Sequence, residues 1–209
     1  MEAGERMEPS AAQAAGPGTA ERPWAVLETL LPSVLPRATE RSLAVLVRQA
    51  QLRSFRRHEV VLSQDLDPLL TLVVGGHLGA WRSDVEGRRQ MIMITVPGEL
   101  ASVLSLRRGA PRVDLVALDA GIAALWRGDL VLSLAGADAG LAVGLFGHAL
   151  ASAGRLLDRL EHVTFDTVSR RLALILWMRR ELLFDERRPL LSRQELADFA
   201  ATSRKWRAG

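Results

Sequence analysis

The sequence predicts an α+β protein in three parts: a small barrel or sandwich of antiparallel hairpins, a long helix with an apolar seam, and a short basic helical end. Three observations carry this reading. Between Phe55 and Arg127, short β-rich runs are separated by turn residues. From Ala139 to Leu160, small and apolar residues recur at alternating spacings of four and three. Near the end, Ser192 and Glu195 stand in the S-x-x-E pattern of a capping box, in which each side chain satisfies a free amide at a helix start.

In chain order, residues 1–20 ("MEAGERMEPSAAQAAGPGTA") are small, acidic and bear Pro and Gly, and are read as a disordered leader with no secretory signal. Trp24 to Leu31 and Glu40 to Leu52 have the period of short amphipathic helices, separated by "PSVLPRAT" with its two prolines. The β runs follow: "FRRHEVVLSQ", "LLTLVVGGHLGAWRS", "RRQMIMITV", "RVDLVALDA" and "GIAALWR". "QDLDP", "DVEGR", "VPGE" and "RRGAP" supply the turns between them, so residues 21–130 form the β domain.

Residues 131–164 are expected as one long helix. Ala139, Val143, Phe146, Leu150, Ala153, Leu157 and Leu160 make its seam, which suits either a second copy of the chain or the chain's own β domain. Gly136, Gly140 and Gly144 recur every fourth residue beside that seam. Glycine costs a helix roughly 1 kcal/mol against alanine, so a close neighbour is expected there. With both faces occupied, a homodimer is the best reading. Residues 165–209 complete the chain, with an Arg-rich amphipathic helix over Thr167 to Leu183, a turn at "FDERRP", and a short helix over Ser192 to Ala201.

Composition narrows the chemistry. Of the 209 residues 48% are hydrophobic, enough for a substantial core, and none is cysteine. Disulfides, thiol catalysis and cysteine-ligated iron–sulfur clusters are thereby excluded. The four histidines, His58, His77, His148 and His162, are isolated and form no metal-ligand spacing. No catalytic residue and no metal ligand is assigned, and an enzyme is not expected. Gly140 to Gly154, the longest weakly polar run, is too short to span a bilayer, so a cytoplasmic protein with no membrane partner is expected. Net charge is only +3, but residues 166–209 hold ten basic and six acidic residues. Positive potential is concentrated at the end that would meet a polyanion.

The order of parts resembles the Crp/Fnr family of bacterial transcription regulators, relatives of the cyclic-AMP receptor protein. Its carriers are "FRRHEVVLSQDLDP", "VVGGHLGAWRSDVEGRRQMIMITVPGEL", "RVDLVALDAGIAALWRGDL", "FDTVSRRLALIL" and "LSRQELADFAATSR", spanning about Leu52 to Arg204. The resemblance implies a cupin-like β-roll that senses an effector, a dimerisation helix, and a winged helix-turn-helix that reads DNA.

For the effector pocket, the resemblance places Gly98 and Glu99 at the strand-end turn. Ser102 and Val103 stand at the positions of the Gly-Glu pair that binds a cyclic nucleotide. Arg112 falls where the phosphate arginine stands, and Val113 replaces the serine after it. On the long helix, the segment "GRLLDR" that the resemblance places at the nucleobase lacks the expected threonine or serine. One of four pocket features thus survives, which argues against cyclic AMP and leaves the effector unassigned. The family's haem-binding variant would need ligands such as His77 or His148, whose isolation gives it little support.

For DNA, the resemblance places Ser192, Arg193 and Gln194 at phosphates, Ser203 as the cap of the recognition helix, and Arg204 at a base edge. Lys205 stands where a glutamate is usual, exchanging an acceptor for a donor. Pattern stops after Arg204, an ending that a frameshift, a truncated gene model or a genuinely short form would all give. The expected function is therefore DNA-binding regulation with weak or non-specific reading. The alternative is a sensing or dimerising β-roll that acts without specific DNA.

Overall fold

A computed structural model describes residues 17–63, 69–106, 113–178, 180–183 and 189–201, with side chains from residue 23 onward except at 181 and 182. Two N-terminal helices, α1 (Pro17–Val34) and α2 (Glu40–Gln49), precede eight strands. These are β1 (Gln51–Phe55), β2 (Val60–Leu62), β3 (Leu69–Gly75), β4 (Leu78–Ser83), β5 (Arg89–Thr95), β6 (Leu100–Ala101), β7 (Asp114–Ala117) and β8 (Gly121–Arg127). Then come α3 (Gly128–Ala137), α4 (Ala139–Phe165), α5 (Val168–Met178), α6 (Arg180–Leu183) and α7 (Arg193–Phe199).

All described strand pairs are antiparallel. They form two four-stranded sheets, β1-β8-β3-β6 and β2-β7-β4-β5, which face each other as the two layers of a roll. Alternation decides which side chains point between the layers: Phe55, Val61, Leu78, Leu115, Ala123 and Leu125 are buried there. A second apolar cluster joins the roll to the helices around it. Leu27, Leu31 and Leu35 pack with Leu46, Trp126, Leu141 and Leu145. The indole of Trp126 donates to the carbonyl of Leu46 at 2.7 Å, so this fully buried ring keeps its N–H satisfied.

Several expectations need correction. The prolines of "PSVLPRAT" do not end α1 early, because Pro32 lies inside it. Losing one helical bond there, at about 3 kcal/mol, is offset by burying Leu31, Val34 and Leu35. The leader expected over residues 1–20 gives way to helix at Pro17, and residues 1–16 lie outside the described part. The helix expected through Leu52 stops at Gln49, since Gln51–Phe55 pairs with β8 as an edge strand. Thr167 to Leu183 is divided between α5 and α6.

The single helix expected over 131–164 is two, broken at Asp138. This residue is extended (φ −130°, ψ 99°) and caps α4 by accepting the Leu141 amide at 3.0 Å. Its other oxygen accepts the Thr39 amide at 2.9 Å and the Thr39 hydroxyl at 2.7 Å, which ties the start of α4 to the start of α2. Gly136 thus belongs to α3 and faces open space. A Cβ on Gly140 would run into the carbonyl oxygen of Arg37, and one on Gly144 would meet Leu35 at 3.2 Å. Gly140 and Gly144 admit the chain's own α1–α2 turn.

Candidate effector cavity and reading-helix joint

A cavity of about 390 Å³ lies between the roll and α4. β4 and β5 supply Ala80, Arg82, Ile92, Met93 and Thr95; the segment Leu100–Ser105, with one 3-10 turn at Val103–Ser105, supplies a second wall. Val113 and Leu115 close the floor, and Ser152 and Leu156 of α4 form the lid. The volume falls within the roughly 300–1,000 Å³ of small-molecule sites, and most of its lining is apolar.

Ser102 takes the left-handed conformation (φ 59°), which glycine adopts without steric cost. Its hydroxyl lies 2.6 Å from the carbonyl of Leu69, to which it donates. Ser152 is buried, and its oxygen accepts from Arg155 at 3.2 Å. Arg155 also approaches the sulfur of Met93 at 3.8 Å.

The same strand and helix build a second structure on the far side of Met93. The outer face of β4–β5 packs Trp81, Met91 and Ile94 with Leu118 against Leu183, Leu190, Leu191 and Phe199 of the C-terminal segment. Arg159 of α4 is the bolt of this joint. One guanidinium nitrogen donates to the carbonyl of Met91 at 2.7 Å and to that of Phe199 at 2.8 Å, and the group lies 4.9 Å from the Phe199 ring centre. Burial first, and the charge of Arg171 second, push its pKa down to about 10, so it stays cationic at neutral pH. Arg171 donates to the carbonyls of Ala200 (2.8 Å) and Asp166 (2.7 Å), holding α5 to the end of α7.

At the other end of α7, the capping box forms. Ser192 Oγ accepts the Glu195 amide at 3.2 Å, and Glu195 Oε2 accepts the Ser192 amide at 2.7 Å. The same oxygen takes a 2.7 Å bond from Arg57, in the β1–β2 turn, and His58 lies 3.8 Å from the other oxygen. Glu195 therefore caps its helix and fastens it to the roll.

No protein-family model matches the sequence, and no curated protein is detectably similar to it. Solved structures are. FixK2 from Bradyrhizobium japonicum superposes with a TM-score of 0.64 at 21% identity, over 74% of this chain and 78% of that one. The c-di-GMP responsive global regulator CLP of Xanthomonas campestris gives 0.62 at 18%, over 80% and 87%. A protein described as a transcriptional regulator of the Crp/Fnr family from Eubacterium rectale gives 0.68 at 11%, over 80% and 79%. The chain has the Crp/Fnr fold.

Within that fold the expected site residues separate. Ser102, Val103 and Val113 line the cavity. Gly98 and Glu99 stay at the strand-end turn: Gly98 (φ 85°) donates its amide to Val73 at 2.9 Å, and the Glu99 carboxylate accepts the Val96 amide at 3.3 Å. Arg112 lies outside the described residues, as do Ser203, Arg204 and Lys205. At the start of α7, the Ser192 hydroxyl oxygen accepts the capping bond, which leaves its O–H to donate, and Gln194 donates to Asp198 at 2.8 Å, while Arg193 is exposed.

His77 shares a 2.6 Å contact with Asp119, and His148 Nε2 lies 2.8 Å from the carbonyl of Val34, so a ring nitrogen of each is already engaged. Among the described residues, no three His, Asp or Glu side chains converge as a metal site.

Ile92, Met93, Thr95 and Ser152 are functional candidates that the sequence reading missed. Nothing local marks them. They read as ordinary strand and helix residues until β5 and α4 are brought face to face.

The seam residues stand out on α4. Phe146 is 63% exposed and Leu157 66%, with Val143, Leu150 and Leu160 also exposed and Ala153 partly so. Leu141, Leu145 and Ser152 on the other face are buried. The whole helix is 27 residues long with a most apolar stretch of mean hydropathy 1.3, so by length and composition it could cross a membrane. The run from Gly140 to Gly154 is one part of this longer helix.

Proposed function

We propose that the chain is a transcription regulator of the Crp/Fnr type, in which an effector cavity in the roll is coupled to a DNA-facing helix and two copies pair along α4. The observation that carries this is the shared wall: Met93 and Ile92 of β5 line the cavity on one side and the joint with α5 and α7 on the other. An occupant of the cavity would press on the strand to which Arg159 bolts α7. In this reading residues 21–130 sense, 131–164 pair two copies, and 165–209 face DNA, in the cytoplasm.

A second copy is the occupant best suited to the α4 stripe. A membrane-spanning helix is apolar on all sides, whereas α4 presents one apolar stripe, and its C-terminal half carries Arg155, Asp158, Arg159 and Glu161. DNA contact at α7 rests on Arg193 and the basic C-terminal residues, and is expected to be dominated by phosphates and steeply salt-dependent.

The alternative, a dimerising sensor that acts without specific DNA, is favoured by one observation: the Gln194 side-chain amide already donates to Asp198 within the protein. A gel-shift titration over increasing salt with excess competitor DNA tests the proposal. Retention of one sequence over the competitor supports it. Binding that competitor abolishes at every salt supports the alternative.

A further inference from the structure

We infer that the cavity between the roll and α4 takes an uncharged, largely apolar small molecule, such as a compact aromatic ring system, and not a cyclic nucleotide. This deepens the sensor half of the proposed function and rests on that reading only for its regulatory consequence.

A cyclic nucleotide needs a cation for its phosphate and an acceptor for its ribose hydroxyl. At the acceptor's place Val103 is buried and presents an isopropyl group. The neighbouring Ser102 hydroxyl donates to the Leu69 carbonyl, and the lid's Ser152 oxygen accepts from Arg155. Each is a neutral hydroxyl held by the protein, and neither is the charged acceptor that a carboxylate would be. Among the described residues, the one charged side chain lining the cavity is Arg82, which is exposed and thus keeps its charge in water at the rim.

Arg155 touches Ser152 and Met93 but does not itself line the cavity, and Glu99 lies 4.0 Å from it. An anion drawn inside would therefore lose its hydration without an equivalent return. An apolar guest would instead gain about 25 cal/mol for each Å² of its surface withdrawn from water. Thr95, from β5, places a hydroxyl in the wall, which suits a guest with a single polar group. The polarity of the walls selects the class of ligand.

The five methionines provide the test. Protein labelled with ¹³C at the methionine methyls is titrated with naphthol, with naphthoate (the same ring bearing a charge), and with cyclic AMP. Met93→Leu identifies the cavity resonance. Naphthol is expected to move the Met93 signal saturably and to leave that of Met178, exposed on α5, unmoved. Naphthoate and cyclic AMP are expected to bind at least about tenfold more weakly.

Val103→Phe and, separately, Ser152→Leu fill the space and are expected to weaken naphthol binding about tenfold or more. An unchanged Met91 signal shows that each variant is folded, and either variant suffices. The inference is overturned if naphthol leaves Met93 unmoved, if both folded filling variants bind it as before, or if naphthoate or cyclic AMP binds as tightly, which would give Arg112 the phosphate role. Naphthol binding by a protein that holds no specific DNA would sink the regulator reading and leave the cavity assignment standing.

Discussion

Ala201 follows the last turn of α7 with a φ of 53°. A left-handed alanine costs about 1–2 kcal/mol relative to its right-handed form, a cost glycine does not bear. Ala201→Gly should therefore stabilise the protein, by about 0.5–1 kcal/mol after the greater freedom of glycine in the unfolded chain is subtracted. Urea unfolding checks it, and a loss of stability would contradict the geometry. Asp138 sets a pH dependence. Hydrogen bonds from the Ser42 hydroxyl, then from the Thr39 amide and hydroxyl and the Leu141 amide, hold its carboxyl far below the usual carboxylate range. As acid is added, the unfolded chain takes up this proton first, near its ordinary value of about 4. The contribution of Asp138 is thus full at neutral pH and is lost progressively below that value. Asp138→Asn keeps an N-cap but turns an amide N–H₂ toward the Thr39 donors. Thermal melts at stepped pH should show the variant less stable at neutral pH and converging with the parent in acid. At this scale legibility depended on range. The Ser192–Glu195 box was readable because both partners lie within one turn. Arg57, which shares the Glu195 carboxylate, lies 138 positions away and had no local signature.

Among the elements, α4 was legible by its spacing and misread at its start. The seam residues do lie on one exposed face, because a four-three repeat keeps side chains in register whatever they meet. Asp138 was hidden inside a stretch that is otherwise helical in composition, and only its bonds to the α2 start explain the break. β1 was absorbed into the preceding helix pattern, since "QLRSF" has one fully buried residue and little alternation. β6 has two residues and lay outside the β runs read from the sequence, just after the "VPGE" turn. If α4 pairs two copies, Phe146→Glu and Leu157→Glu together should give a monomer with an intact roll. Each exposed ring or isobutyl group withdrawn from water contributes about 1.5–3 kcal/mol, and buried like charges would face each other instead. Sedimentation velocity reads the outcome directly. A parent protein that is already monomeric at high concentration would refute pairing along this stripe.

Across the whole molecule, the sensing roll and the α7 end are joined, among the described residues, by an apolar cluster and two polar fasteners, Arg57 and Arg159, while Arg171 holds α5 to the end of α7. The cluster mixes Trp81, Met91 and Ile94 of the roll with Leu190, Leu191 and Phe199. Sequence could not reveal it, because the outward face of β4–β5 reads like any half-polar strand surface and its covering lies some hundred residues later. The fasteners make the joint adjustable: removing one weakens α7's hold without touching either strand order or cap. Arg159→Met keeps the aliphatic stem but strips two carbonyls of a charged donor, a loss of about 2 kcal/mol. If α7 can leave the roll as a unit, its amides should then open independently of the sheets. Hydrogen exchange across Arg193–Phe199 is expected to quicken roughly thirtyfold, while the β3–β8 ladder stays protected. Equal acceleration in both would mean that α7 and the roll open only together, and a signal from the cavity would then have to reach DNA through movement of the whole subunit about α4.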